Sequence, residues 1–447
     1  MTLKPFVQEQ IETLKKSQEP PAFSPNGVHV HARTQTPGSA LEVLSSARDL
    51  GLIHPHVVRC VLAVYASTFV ERVNPLWLML VGSPSSNKTT LVDLLKNSPD
   101  VYRLDTITGN AFISGQKESD KPQDLLPRLD GKCFSIKEWA VILGRSDEMV
   151  KQILSDFVAI YDGEFSKHSP TRGDIRYEAF FSHIGCVTPM ALQNRERYME
   201  MVGPRFLYLR IPTLSELERD QALDKVCDGL SSSKESVTEV VAGFCEQLKE
   251  DAPKLYPAVK VNAESRTYLK ALANLIARAR GTVITDRTTF KNENDEDVTH
   301  YEPVDRQVEE PFRALNQIMK LAKCLAIVSG KAEITLEELE IVREVALSSM
   351  AVRRADILRA FEARNNQTAK MVASCTGRAY KSAKRNLDEL VALGVLVSSK
   401  DENDLARTYS MNALFVDVIS KKVDLNPLDQ TIQELGWPTE ELTTTQN

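Results

Sequence analysis

The sequence predicts an α/β fold with a mostly parallel sheet, then a long helical region and a small C-terminal block. Three observations carry this. The short apolar runs "LWLMLV" (76–81), "KCFSI" (132–136), "FFSHIGCVT" (180–188) and "RFLYLRI" (205–211) alternate with stretches of helical spacing, the pattern of buried strands joined by helices. Residues 213–350 read as mainly helical. Residues 366–415 read as helix, turn, helix, then "GVLVSS", a polar acidic turn and "RTYSMN".

Bulk properties narrow the function classes. A chain of 447 residues is expected to hold two to three domains. Hydrophobic content of 42% and charged content of 26% are those of a soluble globular protein. A net charge of −6 excludes a globally basic nucleic-acid coat and leaves room for local basic patches. The N-terminal "MTLKPFVQEQIETLKK" has no apolar core of signal-peptide type. The most apolar window, 57–70, carries Arg59 and is too short to span a bilayer, so a cytoplasmic protein without membrane contact is expected. Seven cysteines stand singly, without metal-ligand spacing, and read as reduced, mostly buried thiols. His29 and His31 lack a third ligand nearby.

Along the chain, residues 1–18 contain a short charged helix. Residues 19–40, with four prolines and two glycines, form a linker, and 41–75 a helical region. The α/β core is expected over 76–212 and a helical lid over 213–362. In the lid, Leu315, Ile318, Met319, Ala322 and Leu325 share one helix face. Thr335 and Glu338 form a capping box at the start of another helix. The polar insert 286–303 reads as an exposed loop or hairpin. Residues 366–420 form two helices and a two-stranded ribbon, the winged-helix outline, and 421–447 a polar tail.

The stretch "GSPSSNKTT" follows a strand and opens a helix, as a phosphate-binding loop does. Gly82, Ser83, Pro84, Ser85, Ser86 and Asn87 would curl backbone N–H groups around phosphate. Lys88 would neutralise the outer phosphates, and the Thr89 hydroxyl, beside Thr90, would hold Mg²⁺. Asn87 stands where the general pattern has glycine, and asparagine tolerates the left-handed backbone that glycine supplies. Glu138 lies just past the strand "KCFSI", where a carboxylate can position an attacking water.

In this order the motifs resemble those of AAA+ ATPases, within them the minichromosome maintenance helicase branch and related mobile-element ATPases, over about residues 76–350. "GSPSSNKT" is similar to that family's G-x-P-x-x-x-K-[ST] loop, and "SIKEW" to its Walker B segment, which implies Glu138 as catalytic glutamate. "YDGEFSKHSPTRGDIRYEAFFSHIGCVTP" resembles a presensor hairpin followed by sensor 1, with Lys167 on the hairpin that touches DNA and Thr188 at the sensor position. "GPRFLYLRIP" resembles the arginine-finger segment, implying Arg205. "EPFRALNQIMKLAKCLA" resembles the lid helix, implying Arg313 as sensor 2. The resemblance implies ATP and Mg²⁺ as cofactors and a homo-oligomeric, hexameric ring.

Two residues depart from the family pattern. Lys137 stands where the Mg²⁺-associated aspartate is usual, and Thr188 where asparagine is usual. Both bear on hydrolysis more than on nucleotide binding. Successive strand residues face opposite sides, so Lys137 need not share a face with Glu138.

Candidate DNA contacts are Lys167 and Arg172 on the hairpin, with His168 between them. Others are Arg378, Lys381, Lys384 and Arg385 in "TGRAYKSAKRNL", four positives without an acid. The expected function is an ATP-driven DNA helicase or translocase in replication or mobile-element processing, working with partner proteins. The alternatives are an AAA+ DNA-binding regulator, or an assembly switch or loader that hydrolyses slowly.

Overall fold

The computed structural model describes residues 39–420 apart from 53, 115–123, 196–198, 200–202, 228–233, 292–296 and 401–406. The expected N-terminal helix, most of the linker, His29, His31 and the tail lie outside the described residues.

Five strands form a parallel sheet: β1 (Trp77–Val81), β2 (Val101–Leu104), β3 (Cys133–Ile136), β6 (Ser182–Val187) and β7 (Phe206–Arg210), in the order β2-β3-β6-β1-β7. Between β3 and β6 lies an antiparallel hairpin, β4 (Glu164–Ser169) with β5 (Gly173–Glu178). Four of the sheet strands are those expected from the apolar runs. The fifth, β2, has no apolar run. "VYRL" is half-buried at the sheet edge, where one polar face is tolerated.

β1 is buried throughout, and its side chains alternate between two cores. Leu78 and Leu80 pack with helices Pro55–Ala66, Lys88–Asp93 and Phe312–Val328 on one face. Trp77, Met79 and Val81 pack with helix Asp147–Ile160 on the other. On that second face Trp77 contacts Phe157, Tyr161, Phe181 and Phe206, an aromatic cluster that binds β1, β6 and β7 to the helix.

The outer edge of β7 is closed by side chains instead of another strand. Ser349 Oγ accepts from Tyr208 N (2.9 Å) and Ser348 Oγ from Arg210 N (3.1 Å), both at the end of helix Leu336–Ser348. Edge N–H groups are thereby satisfied without inviting a further strand.

The helical region contains helices Glu216–Cys227, Lys234–Leu255, Ala263–Arg280, Phe312–Val328 and Leu336–Ser348. The capping box at Thr335 and Glu338 is present. Helix Phe312–Val328 buries Ile318, Ala322 and Leu325 as expected, and also Gln317 and Cys324, so it is buried over more than one face. The polar insert is a long hairpin, β8 (Thr282–Lys291) with β9 (Asp297–Gln307).

The C-terminal block contains helices Ala369–Thr376 and Tyr380–Ala392. Its small sheet has the order β10-β12-β11: β10 (Gln367–Thr368), β11 (Leu396–Lys400) and β12 (Arg407–Met411). Arg278 Nη1 donates to Gly394 O (2.9 Å), Arg306 Nη1 to Ala392 O (2.6 Å), and Arg354 pairs with Glu389 (3.1 Å). The described residues of this block fall in one compact unit with the sheet and the helices.

Among the described residues no helix is long and apolar enough to cross a membrane. The apolar window around Arg59 is helix Pro55–Ala66, whose arginine is 4% exposed. Arg59 bonds Glu337, Ser329 and Glu338, the last at 2.7 Å. All seven cysteines are free, and Cys227 and Cys375 alone are exposed. Arg59→Met is expected to lower the unfolding free energy by about 1–2 kcal/mol, the scale of lost hydrogen bonds to charged groups, because Lys331 remains on Glu338 at 2.8 Å. Denaturant titration of both proteins checks this.

Candidate functional site

β1 ends at Gly82, where the Gly82 N–H donates to Val187 O at the end of β6 (3.2 Å). A Cβ on residue 82 would meet Ser86 Oγ, so glycine lets the Ser86 side chain fold back over the start of the loop. Ser85 and Asn87 adopt left-handed backbone, at φ 62° and 59°. Asn87 thus takes the conformation that glycine would supply, and its Nδ2 donates to Gly51 O (3.2 Å). Two left-handed residues within three positions bend the loop tightly, and Ser86 N donates to Ser83 O (3.3 Å) across the turn.

Lys88 opens helix Lys88–Asp93 and is buried. Its Nζ donates to Gly82 O (2.8 Å) and Ser83 O (2.6 Å), so the ammonium sits inside its own loop. Burial holds this amine below its usual value, opposed by Cys186 and Glu138. Ser83, Pro84, Ser85 and Thr89 are exposed, and Ser86 and Thr90 half-buried.

Glu138 follows β3 and caps helix Trp139–Leu143, its Oε1 accepting from Ala140 N (3.1 Å). The next residue anchors it. Trp139 is fully buried, and its Nε1 donates to His183 Nε2 on β6 (3.1 Å). Burial drives His183 down to about 3, so its ring is neutral and accepts the indole proton. Gly185 leaves the space for the indole, since a Cβ there would strike Trp139 Nε1.

Thr188 follows β6 and caps helix Pro189–Asn194, its Oγ1 accepting from Ala191 N (3.4 Å). The loop 82–88, Glu138 and Thr188 therefore lie together at the C-terminal edge of neighbouring strands β1, β6 and β3. This is also where the connections diverge: β1 leads towards β2, whereas β6 leads past β1 to β7. Helix Lys88–Asp93 and helix Pro189–Asn194 accordingly pack into opposite cores. Ligands of open α/β sheets bind at such a switch point.

Lys137 turns away from this edge. Its Nζ lies 3.4 Å from Asp93 Oδ1, on the helix after the loop, and Arg103 and Lys234 share the same carboxylate.

Arg205 and Arg313 occupy the other end of the sheet. Arg205 precedes β7, whose far end reaches the loop where Ile211 N donates to Val81 O (2.8 Å). Six residues of strand separate the two levels by about 20 Å. Both guanidiniums face the Tyr161 ring, at 5.8 and 5.5 Å from its centroid. Gln317 Nε2 donates to both Tyr161 Oη (3.0 Å) and Arg205 O (2.9 Å). Burial, then the neighbouring Arg313, lower the pKa of Arg205, and Asp162 opposes them. These two arginines share the Tyr161 ring and lie at the end of the sheet away from Lys88.

On the hairpin, Lys167 is half-buried and donates to Asn110 Oδ1 (2.9 Å). Arg172, expected as a DNA contact, is engaged within the fold. Its Nη1 holds both oxygens of the buried Asp124 (3.0 and 2.9 Å) and Ser114 O (2.7 Å), with Tyr177 Oη donating to Asp124 Oδ2 (2.8 Å). It ties the hairpin to the body of the fold. In the C-terminal block, Arg378 likewise pairs with Asp356, and Arg385 with Glu389 (3.2 Å), so the cluster does have acidic partners. Lys381, Lys384 and Arg385 are exposed. Tyr409 is buried and donates to Asp388 (2.9 Å).

Sequence reading did not single out Asp93, Asp124, Trp139, Tyr161, His183 or Gly185. Each acts through a residue distant in the chain, and no local spacing reveals such a partner. Compared with protein-family models and with curated proteins, the sequence matches none.

Asp156, on helix Asp147–Ile160 beside the hairpin, is raised by burial to about 6, with Lys167 opposing. A raised carboxyl stabilises the fold most below its unfolded pKa and loses that contribution as pH climbs through the folded value. The loss therefore falls between about pH 4 and pH 6. Asp156→Asn is expected to match wild type in thermal midpoint near the lower limit and to exceed it near neutral pH.

Proposed function

We propose that this protein is an AAA+ ATPase with a C-terminal winged helix, acting on DNA as a helicase or translocase in a homo-oligomeric ring. One observation carries the reading: Lys88 in its glycine-started loop, Glu138 and Thr188 converge at the switch point of a parallel sheet, while Arg205 and Arg313 pair at its opposite end. The order of the C-terminal helices and ribbon, with Gly377 left-handed in the turn between helices, supports the winged helix.

On this reading the residues fit a triphosphate. The loop N–H groups bind phosphate oxygens, and Lys88 exchanges its two loop carbonyls for the outer phosphates. The Thr89 hydroxyl is the metal donor, and Mg²⁺, when bound, neutralises phosphate charge. Glu138 orients a water and takes its proton. Thr188 contributes a hydroxyl near the reacting phosphate, which at present caps its helix. Arg205 and Arg313 lie about 20 Å from the loop level by strand rise, so they serve a neighbouring protomer's nucleotide, stabilising its transition-state charge. Lys167, Lys381, Lys384 and Arg385 are the candidate phosphodiester contacts, as point charges without base specificity. A slowly hydrolysing switch or loader is the second reading, favoured by the engagement of the Thr188 hydroxyl. Strand displacement from a forked duplex separates the two.

ATP turnover measured with and without DNA tests the proposal. Glu138→Gln is expected to keep nucleotide binding and to lose about 10²–10⁴-fold in turnover, the usual range for a general base. Equal turnover would refute the role of Glu138, and a wild type that binds neither nucleotide nor DNA would refute the whole reading.

Arg205→Ala is expected to bind ATP as wild type does while losing assembly-dependent turnover. In mixtures, Glu138→Gln subunits should restore part of that turnover by presenting their intact Arg205 to sites with an intact Glu138. Undiminished turnover of the assembled Arg205 variant alone would remove the trans assignment.

A further inference from the structure

Lys137 is adjacent to Glu138, and a second ammonium beside the phosphate loop would repel a divalent cation. The structure contains a device that prevents this. Asp93, at the end of the helix that Lys88 begins, has a side chain only 12% exposed, and Lys137 Nζ approaches its Oδ1 at 3.4 Å. Arg103 bonds the same oxygen, and Lys234 lies 3.3 Å from the other. One carboxylate thus meets three cations, which hold it in place from β2 and from helix Lys234–Leu255. Cys186, on β6, lies within electrostatic reach of Lys88, Glu138 and Asp93, so the pair and the candidate nucleotide edge share one neighbourhood.

We propose that Asp93 is a positioning residue that clamps Lys137 outside the nucleotide site, leaving the space beside Glu138 free for a metal–nucleotide complex. This rests on the ATPase reading above. Without the carboxylate, Lys137 faces Arg103 and Lys234 with nothing between them. Its flexible four-carbon stem then lets the ammonium swing towards the phosphates, where it competes with the divalent cation. The anomaly in the sequence is therefore conditional: the lysine is harmless while Asp93 holds it.

The test uses the full chain, a fluorescent ATP analogue with and without Mg²⁺, and the variants Asp93→Asn, Lys137→Met and both together. Methionine keeps the packing of the lysine stem while removing its charge. Asp93→Asn is expected to weaken binding of the Mg²⁺-bound nucleotide by about tenfold, the scale of one misplaced unit charge near the surface. It should leave the metal-free nucleotide bound at least as tightly as in wild type, since the freed ammonium attracts bare phosphates, a difference that loss of folding would not produce. Adding Lys137→Met should restore the Mg²⁺-dependent affinity. Wild-type affinity in Asp93→Asn, or no recovery in the double variant, overturns the proposal. A double-mutant cycle on thermal stability without nucleotide reads the clamp itself: coupling supports it, and strict additivity overturns it. If the wild type binds no nucleotide, the ATPase reading and the metal consequence both fail, while the cycle still decides whether the pair is coupled.

Discussion

Strand β1 is hydrogen-bonded on both sides, to β6 and to β7, and buried on both faces, so its position tolerates almost no slip. A shift of one residue would exchange Leu78 and Leu80 with Trp77, Met79 and Val81 between two differently shaped cores. The loop after β1 inherits that rigidity, because Gly82 is held to Val187 at the end of the neighbouring strand. The loop is built from backbone, and backbone can be aimed only by fixing the strand that delivers it.

The same logic governs Glu138, by a different route. Its own side chain is half-buried and makes one backbone contact. What holds it is the indole beside it, which fills the space above Gly185 and hydrogen-bonds a histidine that burial keeps neutral. A charged imidazole at that place would lack a counter-charge and would no longer accept the indole proton. The carboxylate is therefore positioned by apolar packing and one neutral hydrogen bond, which leaves its charge for the site.

Much of this was legible in the sequence where one residue's environment is set by its near neighbours. The runs that became β1, β3, β6 and β7 are buried on both faces and so are continuously apolar; the Thr335 capping box is local by construction. Strand β2 escaped because an edge strand can be half polar, and Arg103 within it serves a carboxylate on another element. Arg172 and Arg378 look like exposed cations in a linear reading, yet each finds an acid 48 or 22 positions away. The pairing of Arg205 with Arg313 over Tyr161, and the capture of Lys137 by Asp93, are likewise long-range. No period or spacing encodes them.

The distribution of charge across the sheet bears on how the proposed activity is coupled to assembly. One end of the sheet carries the loop, Glu138 and Thr188, with Arg210 beside Val81 at the end of β7; the other carries Arg205 and Arg313 around the Tyr161 ring. On the proposed reading, an isolated protomer would bind nucleotide with the first set, while Arg205 and Arg313 lie too far from it to stabilise transferring charge in the same protomer. Turnover then becomes a property of neighbouring protomers. The C-terminal block is joined to the helical region by Arg278, Arg306 and Arg354, and Gln317 of that region bonds the backbone of Arg205 itself. On the proposed reading, DNA bound at Lys381, Lys384 and Arg385 would be felt through these links at Arg205. In the proposed DNA-responsive ATPase such a route would run through the carbonyl contacts of Arg278 and Arg306 and the Arg354–Glu389 ion pair.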